Sequence, residues 1–173
     1  TISSTYPNNQ GYSEEINIIL PSSAKFTFVH VQNLAGNIVL SGVNSNLTKI
    51  SLNSNAGNIS FQNNENSTQR NVTLQSDAGN INILGSTVNA TISAMTQAGN
   101  INYQGYGSSI KAITYTGNIN LESNFTSIYA QSNAGDIFFK QNQEKSPYSL
   151  NIPSNFMPQL NLQSNAGNIS CIS

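Results

Sequence analysis

The tetrapeptide Ala-Gly-Asn-Ile recurs along this chain, and no other feature of the sequence limits its fold as strongly. It starts at Ala35, Ala56, Ala78, Ala98 and Ala166, with close variants at Thr116 and Ala134, which makes seven copies. Successive copies lie 21, 22, 20, 18, 18 and 32 residues apart. Periods of this size mark stacked repeat architectures. Take the first residue of each copy as position zero. Position −6 then holds Val29, Ile50, Val72, Ile92, Ile110, Ile128 and Leu160, and position −4 holds Val31, Leu52, Leu74, Ala94, Ala112, Ala130 and Leu162. Position −2 is Asn33 once and Ser or Thr in the other copies. Position +3 is always Ile, at 38, 59, 81, 101, 119, 137 and 169. Position +5 holds Leu40, Phe61, Ile83, Tyr103, Leu121, Phe139 and Cys171.

Apolar residues alternate with period two on both sides of the glycine, which is the mark of strands with one buried face. The inward parity then jumps from position zero to position +3. A flat strand cannot make that jump, but a sharp bend at Gly-Asn can, since both residues tolerate positive φ. Hairpins in a meander would satisfy the alternation. Coils stacked about 4.8 Å apart would also explain why identical residue types recur at identical positions. The reading is therefore an all-β fold: a β-solenoid of about seven strand, Gly-Asn corner, strand repeats. A ladder of corner residues Asn37, Asn58, Asn80, Asn100, Asn118, Asp136 and Asn168 is expected, as in other asparagine stacks. A more variable third side carries Val43, Leu47, Val88, Tyr106 and Phe125. Residues 25–173 form the repeat domain, with an insertion loop at 141–158. Residues 1–24 form an N-terminal tail that contains one strand-like segment, residues 14–20.

Only 8% of the 173 residues are charged, against roughly 25% in average soluble domains. The net charge is −1 with no basic run, so the electrostatic footprint of a nucleic-acid binder is missing. No apolar stretch approaches the roughly 20 residues of a membrane span. With few titrating groups, stability should depend only weakly on pH, which suits an exposed extracellular setting. The chain starts at Thr1 without Met or a signal peptide, as either a processed secreted protein or an artificially trimmed chain would.

Candidate chemistry is sparse. Cys171 falls on an inward address and reads as a buried small hydrophobe; an intermolecular disulfide is the sharper alternative. His30 lies between inward Val29 and Val31 and so points outward, and a zinc site needs three or four ligands. Asp77 and Asp136 are isolated at different repeat positions, which argues against paired carboxylate chemistry. Glu14 and Glu15 are adjacent and would face opposite sides of a strand. Calcium-binding solenoids repeat an Asp-bearing motif where this corner carries Asn. The outward positions, which include Gln75, Met95, Ile113 and Gln131, are too irregular for an ice-binding array. No catalytic, cofactor or metal residue is assigned, and no enzymatic activity is expected. N-glycosylation sequons stand at Asn46, Asn58, Asn66, Asn71, Asn89, Asn124 and Asn168. With 29 Asn and 37 Ser plus Thr, chance alone supplies roughly six. Placement says more: Asn46, Asn66, Asn71, Asn89 and Asn124 fall on the variable side, whereas Asn58 and Asn168 sit at the corner and are the less favoured sites for a glycan.

The repeated Gly-Asn-Ile corner resembles the adhesin-type β-repeat families of bacterial and archaeal surface proteins, over residues 25–173 apart from the insertion. The richness in Asn, Ser and Thr, the sequons and the upstream strand also resemble the subunits of the archaeal "thread" surface filaments of thermoacidophiles. That resemblance implies heavy N-glycosylation and an N-terminal strand that inserts into a neighbouring subunit. Residues 14–20 match that strand as an alternating apolar segment, with Ile16, Ile18, Ile19 and Leu20 as the subunit interface; folded back, the same strand would instead cap its own first coil. The expected function is a structural subunit of an extracellular, glycosylated cell-surface filament, whose partners are copies of the same chain joined head to tail. A monomeric adhesin or carbohydrate-binding module is the alternative, with other cells or surfaces as partners.

Overall fold

The computed structural model describes residues 2–3, 14–19, 27–42, 47–63, 70–141 and 159–172. Among the described residues there are twelve β-strands and no helix. The first six are β1 (Ile2–Ser3), β2 (Glu14–Ile19), β3 (Phe28–Ser41), β4 (Lys49–Ala56), β5 (Ile59–Asn63) and β6 (Arg70–Ala78). The second six are β7 (Ile81–Ala98), β8 (Ile101–Thr116), β9 (Ile119–Ala134), β10 (Ile137–Gln141), β11 (Gln159–Ala166) and β12 (Ile169–Ile172). All belong to one sheet, and neighbouring coils pair in parallel, as β7 with β8 and β8 with β9. The chain is a β-solenoid of about five turns. This is fewer than the seven coils expected, because a corner bounds a turn and does not count one. Five intervals between corners are ordinary turns of 18 to 22 residues, and the sixth, of 32 residues, holds the insertion. Residues 142–158 of that insertion, like Val43, lie outside the described residues.

The repeat positions become columns. Ile38 pairs with Ile59, which pairs in turn with Ile81, and the column continues through Ile101, Ile119 and Ile137 to Ile169. From Ile38 to Ile137 this column is buried, as are the position −4 residues from Val31 to Ala130. Leu47 and Phe125 close the third side of the core. The Tyr103 and Phe125 rings meet there at 4.6 Å between centroids, tilted by 51°. The Tyr103 hydroxyl donates to the Tyr106 carbonyl at 2.9 Å.

The corner explains the motif atom by atom. At the bend the asparagine N–H turns toward the preceding coil and donates to the side-chain oxygen of that coil's corner residue. Asn80 N donates to Asn58 Oδ1, Asn100 N to Asn80 Oδ1 and Asn118 N to Asn100 Oδ1, each at 2.8 Å. The ladder therefore runs from side chain to main chain, and needs only an acceptor oxygen. That is why Asp136 fits: its Oδ1 accepts from Asn168 N at 2.7 Å.

The glycine carbonyl at the corner is met by the hydroxyl at position −2 of the next coil. Ser76 Oγ donates to the Gly57 carbonyl at 2.8 Å, and Thr96, Thr114 and Ser132 donate to the carbonyls of Gly79, Gly99 and Gly117 at 2.9 Å. Thr114 is 1% exposed, so water cannot replace its hydroxyl. Thr114→Val keeps the shape and leaves the Gly99 carbonyl without this donor; the expected loss is about 1–3 kcal/mol. That should lower Tm by several degrees in thermal denaturation followed by circular dichroism.

Candidate functional site

A parallel solenoid ends in a row of unpaired main-chain groups above an apolar interior. At the N-terminal end that row is covered by the chain itself. Strand β1 pairs with β3 through Ile2 and Val31. Strand β2 pairs with β3 from Glu14 opposite Gly36 to Ile19 opposite Ser41, which puts Ile16 opposite Ile38 and Ile18 opposite Leu40. The tail thus takes the place of a preceding coil without possessing an Ala-Gly-Asn corner. Of the interface residues expected from sequence, Ile16, Ile18 and Ile19 lie in this strand, and Leu20 is outside the described residues. In the first coil Asn33 stands where later coils carry Ser or Thr. Its Oδ1 accepts from the N–H of Ala35 at 3.4 Å, and its amide nitrogen is buried without a hydrogen-bond partner among the described residues.

The C-terminal end differs. Strand β11 pairs only with β9, and β12 only with β10, so each keeps one unpaired edge among the described residues. Ile169 is 46% exposed, whereas Ile137, one coil earlier in the same column, is 1% exposed. Leu160 is likewise 42% exposed against 1% for Ile128. Ile172 adds a further exposed apolar side chain. Cys171 was expected to be buried and is exposed. Its register beside Phe139 is the expected inward one; exposure follows because no described coil lies over it. A column pattern cannot reveal which copy is last to be covered.

His30 is half-buried beside Phe28, with ring centroids 6.1 Å apart. Among the described residues no group of three or more His, Cys, Asp or Glu could hold a metal ion, and no helix is long and apolar enough to cross a membrane. Of the sequon asparagines, Asn58, Asn71 and Asn168 are exposed and Asn124 is half-buried. Asn46 and Asn66 are outside the described residues, as is the side chain of Asn89. The outer face also carries a groove of about 320 Å³ across β6, β7, β8 and β9, where Met95, Ile113 and Tyr115 meet polar side chains. Sequence reasoning passed over it, although the apolar pair Met95 and Ile113 among outward glutamines was a legible signal.

A comparison with protein-family models matches residues 2–171 to the family described as Toastrack DUF4097. No curated protein and no solved structure matches the chain.

Proposed function

The chain belongs to the Toastrack DUF4097 family, and from this repeat scaffold we propose a structural, non-enzymatic subunit of an extracellular surface filament, built head to tail from copies of itself. The observation that carries the reading is the edge of β11 and β12 that stays unpaired among the described residues, with Ile169 46% exposed at an address that is otherwise buried. An open strand edge over an apolar interior is a template for strand addition, in which main-chain hydrogen bonds supply affinity and alternate side chains fix the register. The same chain carries a strand of matching register. Ile16 shares the column address of Ile38 and therefore of Ile169. Strand β2 of one copy, laid on β12 of another, continues that column across the joint. Such a contact is heterologous and does not close on itself, so it propagates into a fibre.

In this reading N-linked glycans at Asn46, Asn66, Asn71, Asn89 and Asn124 would cover the filament's variable side. Deletion of residues 1–20 tests the assembly. The expected product is a folded, soluble monomer that forms no filaments in electron micrographs or sedimentation. Normal filaments from the truncated chain would overturn the proposal. So would an unfolded product, which would assign the tail to the stability of its own first coil.

A further inference from the structure

The groove on the outer face is lined by β6 to β9 and not by β2 or β12, and asks for a different partner. It runs across four strands between two outward columns. One column, at position −3, contributes Met95 and Ile113; the other, at position −1, contributes Asp77, Gln97, Tyr115 and Asn133. Tyr115 is 64% exposed and Met95 40% exposed, so a ring and an apolar floor are open to solvent together. Four of the polar members, Gln75, Gln97, Gln131 and Asn133, are amides. Gln97 Nε2 donates to Asp77 Oδ1 at 3.1 Å, and Asn133 Oδ1 accepts from Asn165 at 2.6 Å. Each amide retains hydrogen-bonding capacity beyond the one bond named.

Charge and backbone decide what fits. The lining holds one carboxylate and no cation, so it does not attract polyanions. Its strands are paired on both edges, Thr96 with Ser76 and Thr114, and Thr114 with Thr96 and Ser132. No main-chain group is free there for an extended peptide to add a strand. The apolar floor is small and rimmed by amides, which is the lining of a site for a compact polar ligand and not for a lipid chain. Coils succeed one another about every 4.8 Å along the groove, close to the length of one pyranose ring. The single aromatic face of Tyr115, with planar amides spaced at that step on either side of it, matches a sugar chain that presents C–H faces and hydroxyls.

We propose that this groove binds a neutral oligosaccharide, with Tyr115 as the stacking platform and Gln97, Asn133 and Asp77 as hydrogen-bonding partners. The test is an NMR titration of the isotopically labelled full chain with gluco-, manno- and chito-tetraoses. At least one should give saturable shifts at residues 95, 97, 113 and 115, at a ligand concentration on the order of 1 mM. Tyr115→Ala should weaken that binding roughly tenfold or more and leave Tm unchanged. Leu84→Ser, an exposed position on the other side of the corner, should bind as wild type. Failure of every sugar to give saturable shifts would overturn the proposal, as would binding that survives Tyr115→Ala or shifts elsewhere on the molecule. Filament formation plays no part in this readout, so either proposal can fail without the other.

Discussion

Gly117→Ala is expected to remove a large share of the protein's stability, although it adds a single methyl group. A Cβ at Gly117 would lie 2.1 Å from the carbonyl oxygen of Gly99 and 2.6 Å from its carbonyl carbon. Both are main-chain atoms, so no side chain can rotate away. Relief requires the two coils to separate at the corner, where hydrogen bonds hold them: Gly99 N to Thr116 O, Ile101 N to Asn118 O and Thr114 Oγ1 to Gly99 O, all at 2.9 Å, and Asn118 N to Asn100 Oδ1 at 2.8 Å. Gly117 also has φ of +146°, which a residue with a Cβ rarely adopts. Clash, lost bonds and backbone strain together should cost roughly 4 kcal/mol or more, against a total stability of about 5–15 kcal/mol. Gly42→Ala separates the causes. Gly42 has φ of +67° and open space around its missing Cβ, so that variant should lose only about 1 kcal/mol. Urea unfolding of both variants measures the difference. Equal and small losses would mean that the corners do not stack this closely.

The same corner shows why so much of the fold was legible. Each coil repeats one set of steric demands, so seven copies record the same solution, and agreement at Ile59, Ile81 and Ile101 exposes the inward face without any structure. The glycine needed no inference beyond the parity jump, because the bend and the close stacking fall on one residue. The ladder was legible in its members and not in its atoms. An asparagine column reads equally as amide on amide or as side chain on main chain, and Asp136, which supplies only acceptor oxygens when ionised, was the residue that discriminated. The tail was ambiguous because a strand's own sequence carries no record of the chain it pairs with. Ile16 and Ile18 alternate equally well above their own first coil or a neighbour's last. The groove's apolar floor was legible, since the repeat sets Ile113 beside Met95 among outward glutamines, but its depth depends on how far the side chains at 97, 115 and 133 stand out, which no repeat position records.

Ile101→Asn and Ile169→Asn make the same chemical change at two heights of one column, and their expected effects differ by several kcal/mol. Ile101 is fully buried, with Ile81 and Ile119 paired on either side of it. Replacing it forfeits about 1.5–3 kcal/mol of apolar burial. It also places an amide among isoleucines whose main-chain groups are already bonded between strands, at a further cost of about 1–3 kcal/mol. The sum, roughly 3–6 kcal/mol, should appear as a lowered urea midpoint with an unchanged slope. A variant that unfolds like wild type would show that the column is not buried as drawn. Ile169 is 46% exposed, so its substitution in an isolated chain removes little burial and strands no amide, and the loss should stay below about 1 kcal/mol. In the proposed fibre that address would become interior, flanked by Ile137 below and by Ile16 of the next copy above. The full penalty of a buried asparagine then falls on the joint and on nothing else. Ile169→Asn should therefore give a monomer of wild-type stability that fails to form fibres in electron micrographs. Fibres of normal length from that variant would separate the open coil from assembly, and a destabilised monomer would show that the last coil is already covered within its own chain.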